Sequence, residues 1–429
     1  MIHEVHLPPL TLKRLTDVVV LQMWLLLYAA SHSTLDPTDC ANHLDKCPRF
    51  RGRGEKIVNW ISKASTTRLK PLQDIAEDPA PISDKRRWVK QLISDVFRLL
   101  KKPSGTLQRL EPNTRTPWQK AASEFLINFY QEVLRNSTSR FPGYIFSFSD
   151  TDENPSAFGA QDFLTEFQKI NPKLYICPAC DESKYRTKAS RIETDIDHYL
   201  PKSQYPHLSC HPYNLVPSCS LCNQRMKQGL DPLTGKTNNL ITQRRLEDIF
   251  NLYRESGLAE KTYLEIKVKN KQQPTRICEL KAKENYNLFE RIEVIKEIHR
   301  IPERWSEQIE EIEDELYRQL ENLLRVMPVS LDYTQNLLDY LDYSLSTDYI
   351  QGRGKVAFSF AKGWVLATLI NDAEIDTSSS VLIKELTSRF GYYLDESSDE
   401  ISSTASLLKR DKARLSIEEA QKMRQIIKS

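Results

Sequence analysis

Apolar positions recur at helical spacing over long parts of this chain and at strand spacing over a few short ones. Residues 86–100, RRWVKQLISDVFRLL, put Trp88, Leu92, Val96 and Leu99 on one stripe, which predicts an amphipathic helix. Lys101 and Lys102 favour the negative end of its dipole and Pro103 stops it. A second helix is predicted from Pro117, a residue suited to a first helical turn, with Phe125, Phe129 and Val133 on one face. Residues 262–269, TYLEIKVK, alternate apolar and charged side chains and predict a half-buried strand. From about Asn285 the helical period returns with Leu288, Ile292, Ile295 and Ile298, and it continues beyond Pro302. The glutamate run at 310–315 reads as the solvated face of that last helix.

Residues 18–30, VVVLQMWLLLYAA, break the amphipathic pattern, being apolar on nearly every side. They follow Lys13 and Arg14 and end in small residues, as a signal-peptide core does. Against that reading, Asp17 abuts the run and the segment before it is polar and proline-containing. The run is also shorter than the ~20 apolar residues that span a bilayer. Asp17, with Thr16 behind it, reads as the N-cap of a buried or partner-facing helix around Trp24 to Leu27. The expectation is a cytoplasmic protein with no membrane contact. Polar, turn-rich residues at 149–157 mark a boundary, and the acidic stretch at 394–406 reads as a linker before a last short basic helix.

Composition narrows the classes. With 429 residues the chain has room for two or three domains. Its 60 basic and 58 acidic residues nearly cancel, so any contact with nucleic acid must rest on a local patch. Four of the eight cysteines fall in two Cys-x-x-Cys pairs, a pattern that suits zinc in a reducing compartment better than a disulfide framework.

Those pairs are Cys177 and Cys180 in YICPACDES and Cys219 and Cys222 in VPSCSLCNQ. Each forms a knuckle offering two thiolates, and two knuckles complete the closed tetrahedral shell of a structural zinc. The interval between them is longer than the roughly 15–20 residues of a zinc ribbon. It contains a polar cluster: Ile192 to His198 alternates as a short strand, Asn214-Leu-Val-Pro reads as a second strand, and Ser218 to Leu221 lead into a helix that Gly229 ends.

The order Asp-His-x-x-Pro-x-Ser, then Tyr-Asn-Leu-Val-Pro-Ser-Cys-x-x-Cys-Asn-x-x-x-Lys, over about residues 174–230, resembles the HNH endonuclease motif in its zinc-stapled ββα-metal form. That resemblance implies metal-dependent hydrolysis of DNA phosphodiester bonds. His198 would be the general base, since a neutral imidazole can take a proton from water near neutral pH. Asp197 and Asn223 would be the oxygen ligands of a catalytic Mg2+ or Mn2+. Asn214 fits the middle position, where the family residue braces the loop and orients the histidine. The helix N-terminus with Arg225 or Lys227 would hold DNA phosphates. The final motif position is Asn223 here and not His, an exchange of one metal ligand for another. Asp195 either joins the metal or ends the strand.

The fold expected is α+β and mostly helical: an N-terminal helical region at 1–165, an HNH core at 170–240 and a C-terminal, mainly helical region at 241–429. The large flanks resemble those of HNH proteins in bacterial anti-phage defence systems, including the Septu type, in which the nuclease works with an ATPase. That likeness implies an ATPase protein partner beside the DNA substrate. A stand-alone restriction or mobile-element endonuclease, an RNA-cleaving toxin and a zinc-stapled binding module are the competing readings. Cys40, His43 and Cys47 offer three ligand types without an evident fourth, and the basic glycine turns RGRG at 51–54 and GRGK at 352–355 match no P-loop.

Overall fold

In the computed structural model, described residues run from 1 to 375 except 102, 136–138, 148–155, 183–185, 189–190, 238–239, 250–252, 254–256, 269–275, 285–286, 325–340, 351–354 and 356. The boundary read at 149–157 falls largely outside them, and the acidic linker, the last basic helix and nearly all of GRGK lie beyond them. The protein is mostly helical with small two-stranded antiparallel sheets. It divides into two compact units, one of residues 4–172 and 185–255, the other of 1–3, 173–184 and 256–429.

The first unit opens with α1 (Pro9–Ala29), the apolar run of the sequence. The helix begins two turns earlier than Asp17, because Pro9 supplies a first-turn residue behind an extended Pro8. Asp17 is therefore not an N-cap. It is a fully buried helix-interior carboxylate that accepts from the backbone N–H and hydroxyl of Ser147 at 2.7 and 2.8 Å and pairs with Arg49. Leu25 and Leu26 are core, while Trp24 and Leu27 are half-buried and Trp24 lies 4.9 Å from the ring of His43. No described helix is long and apolar enough to cross a membrane.

Against α1 pack α2 (Pro37–Asp45), α4 (Lys70–Glu77) and α5 (Ile82–Lys101), and α3 (Gly54–Lys63) packs on α2. The stripe read from the sequence on α5 is buried, Trp88, Leu92, Val96 and Leu99 alike. Next comes α6 (Pro117–Phe129), with Pro117 in its first turn and a capping box between Thr116 and Gln119. One wider turn, Tyr130–Leu134, extends it, and α7 (Ala160–Ile170) follows. Arg53 of the RGRG turn is buried and donates to the carbonyls of Tyr144 and Phe146, so it secures a loop.

The polar cluster follows in the same unit. Strands β1 (Arg186–Lys188) and β2 (Arg191–Glu193) pair, as do β3 (Asp195–His198) and β4 (Leu215–Ser218). The stretch Ile192 to His198 is thus two short strands divided at Thr194, whose hydroxyl donates to the Ser218 carbonyl at 2.7 Å. In the β3–β4 register Asp197 faces Val216 and His198 faces Leu215. A short helix, Leu221–Lys227, follows β4, and Gln228 and Gly229 at positive φ turn the chain out of it. Another hairpin, β5 (Thr234–Thr237) with β6 (Leu240–Gln243), completes this part.

The second unit holds the strand expected at 262–269, here β7 (Thr262–Val268), paired along its length with β8 (Arg276–Ala282). Its core is formed by helices 289–299, Ile301–Leu324 and Ser359–Ile375, whose Trp305, Phe360 and Trp364 are buried together. Asp181 anchors the last of these helices: its buried carboxylate accepts from the Ser359 hydroxyl at 3.0 Å, the Phe360 N–H at 2.7 Å and His3 at 2.6 Å.

Candidate functional site

Cys177, Cys180, Cys219 and Cys222 are all buried, and their sulfurs lie within 4.8 Å of one another. Four thiolates about 2.3 Å from one tetrahedral ion stand about 3.8 Å apart, so a small contraction completes the shell. The cluster can hold a structural metal ion such as zinc. The Cys222 N–H points at the Cys219 sulfur at 3.5 Å, which sets the knuckle. It is the sole such cluster of His, Cys, Asp or Glu among the described residues. Cys40 and Cys47 are buried without a place in it, and His43 packs on Trp24 and Tyr28.

The strand–loop–strand–helix segment brings the other candidates to one place. Asp197, His198, Asn223 and Lys227 line a cavity of about 320 Å³. Asn214 is fully buried at the end of the connecting loop. Its side-chain oxygen accepts from the Leu200 N–H at 2.7 Å, and its amide donates to the carbonyls of Leu200 and Leu208, each at 3.0 Å. These three bonds close the loop on itself. β4 starts at Leu215, one residue after the sequence pattern implied, and the Asn214 backbone carbonyl still accepts from the Tyr199 N–H at 2.8 Å.

The closed loop fixes His198. Nε2 lies 2.9 Å from the carbonyl of Ser209. A carbonyl can only accept, so Nε2 carries the proton and Nδ1 is the basic nitrogen. Ser209 is itself tied down through its hydroxyl to the Leu126 carbonyl of α6 at 2.7 Å. Tyr130, one turn further on, packs edge-on against the imidazole at 4.2 Å and donates to the Ile196 carbonyl at 2.5 Å. Burial, with Lys202 and Lys227 nearby, holds His198 well below its usual range, in the neutral form.

Lys227, one of the two cations considered for a DNA phosphate, meets a carboxylate of the protein itself. It is buried, and its ammonium lies 2.9 and 3.0 Å from the two oxygens of Asp197. Burial raises the Asp197 carboxyl above the ordinary range, and Lys227 opposes that shift. Asn223 donates to Asp195 at 3.1 Å, and Gln224 donates to the same oxygen at 2.7 Å. Asp195 thus orients the helix carrying Asn223, and the Asn223 carbonyl oxygen is left as the atom to face a cation. Arg225 is exposed on the same helix. Asp197 and Asn223 thus bring two oxygen-bearing side chains to one cavity, with the carboxylate already neutralised by Lys227.

His207 and His211 are loop residues by sequence but fully buried in the structure. His211 donates to the Val96 carbonyl at 3.2 Å and His207 lies 3.7 Å from Asp95, so both serve the packing of the loop. Sequence reasoning missed Tyr130 and Ser209. Nothing local signals either one, since they act across 66 and 83 residues of chain.

Comparison with family models, with curated proteins and with solved structures finds no match to this chain.

Proposed function

We propose that the protein is a metal-dependent HNH-type endonuclease that hydrolyses phosphodiester bonds in DNA. One observation carries the reading. The strand–loop–strand–helix segment converges Asp197, His198 and Asn223 on one cavity, with the histidine held through Nε2 so that Nδ1 is left without a proton. A module that only bound nucleic acid would need no imidazole fixed in one tautomer beside a buried carboxylate.

In this reading His198 takes the proton from the attacking water at Nδ1 and holds it on a ring that the Ser209 carbonyl keeps aligned. Mg2+ or Mn2+, held by Asp197 and Asn223, would supply charge for the phosphorane and the leaving 3′ oxygen. Lys227 balances the Asp197 carboxylate from the side of the helix. Arg225, exposed two residues after Asn223 on the same helix, contacts a backbone phosphate. Zinc at the four cysteines is structural.

His198→Ala should abolish magnesium- or manganese-dependent cleavage of plasmid DNA while zinc content stays as in the parent and the protein remains folded. Undiminished cutting by that variant would remove His198 from the mechanism. Near-neutral net charge gives a lone chain little nonspecific hold on DNA, which supports an effector of bacterial anti-phage defence licensed by an ATPase partner. The isolated protein should then cut plasmid weakly and a co-purifying ATPase should raise the rate. Rapid partner-independent degradation at physiological salt overturns that part.

A further inference from the structure

We infer that the groove beside His198 binds the DNA strand flanking the scissile phosphate, with Arg135 and Lys202 as its phosphate contacts; this rests on the nuclease reading above. The groove begins as a cleft of about 540 Å³ whose walls include Tyr130, Arg135, Gln161, His198 and Lys202. Asn223, His198 and Lys202 also line the 320 Å³ cavity that holds Asp197. The two spaces therefore run past His198 on either side of shared residues. A small anion would occupy one of them, whereas a strand with its repeating phosphates occupies both.

The charge in the cleft is unbalanced in the direction a phosphate requires. Arg135, exposed just after the wider turn that ends α6, has no ion pair with a described residue. Lys202, in the loop after β3, meets the Tyr130 ring 5.3 Å from its centroid; Asp197 acts on it from beyond ion-pair distance. The two cations bear on each other: burial depresses the Lys202 ammonium, and Arg135 is the next cause. Asp195, on the same wall, keeps its negative charge while it accepts from the amides of Asn223 and Gln224, whereas Asp197 is paired with Lys227. Arg135 and Lys202 outweigh the single carboxylate of Asp195 in this lining, and that net positive charge favours an anion between them. Tyr130 connects this charge to the chemistry, since one ring touches both His198 and Lys202. The helical region before residue 165 thus supplies part of the substrate surface.

The test uses full-length His198→Ala protein, which should bind without cutting, and a short labelled DNA presented as single strand or as duplex. Anisotropy is followed over a salt series. Arg135→Ala and Lys202→Met should each weaken binding several-fold and flatten the dependence of log affinity on log salt. The expected flattening is about 0.7 per lost contact for a single strand and about 0.9 for a duplex, and the form showing it identifies the substrate strand. Lys202→Arg should restore binding, which a merely misfolded variant would not do. Unchanged affinity and slope in both variants overturn the inference, as does a parent protein that binds neither DNA at low salt. So does equal displacement by inorganic phosphate at matched ionic strength, which would mark a small-anion site. The nuclease reading fails separately. If wild-type protein never cuts while these binding changes appear, the groove stands and the hydrolysis does not.

Discussion

At the scale of single residues, the Lys227–Asp197 pair is the most consequential contact in the candidate site. Both side chains are buried, so neither can turn to water for compensation. Lys227→Met should leave an uncompensated buried carboxylate and cost about 3–5 kcal/mol, with much of the loss recovered by adding Asp197→Asn. Denaturant unfolding of the two single variants and the double variant measures this, and additive losses would show that the pair is not coupled. Asn214 offers a second handle, because its three hydrogen bonds are all buried. Asn214→Ala should cost about 1–3 kcal/mol for each group left unsatisfied and render the 199–213 loop sensitive to limited proteolysis. Asp197, His198, Asn214 and Asn223 were legible in the sequence because their chemistry lies within one short segment of fixed spacing. The contact of Lys227 with Asp197 was not legible, since a lysine that meets a carboxylate and one that meets a phosphate read the same.

Elements were legible where local chemistry decides them. Pro117 and the Thr116–Gln119 box start α6 where the sequence placed it, and the alternation in TYLEIKVK became β7. The start of α1 was misread because Asp17 is a strong capping residue in isolation, and only the Ser147 backbone and Arg49 show what its carboxylate serves. Tertiary satisfaction overrode local propensity there. Since α6 carries both the carbonyl that holds Ser209 and the turn that presents Tyr130, its end condition reaches the site. Thr116→Ala should cost about 1 kcal/mol, read as a lowered melting temperature, without loss of the cysteine-bound metal.

On the scale of the whole molecule, the sequence located the four cysteines, and the structure gathers them. Structural zinc contributes folding free energy directly. Cys177→Ser or Cys222→Ser should therefore lower zinc content by elemental analysis and speed proteolysis of the 173–230 segment, and a native protein without zinc would refute the assignment. The division into two units could not be read from the chain, because residues 173–184 group with distant sequence on both sides. Sulfurs that lie within 4.8 Å of one another are also near enough to react together. If a chelator strips the ion, an oxidant can join the thiols in pairs, since disulfide Cβ atoms stand only about 3.8 Å apart. Chelated protein left in air should then lose one hydrogen mass per thiol and refuse zinc until it is reduced. The zinc-loaded protein should pass through the same exposure unchanged, its metal serving as a shield against oxidation.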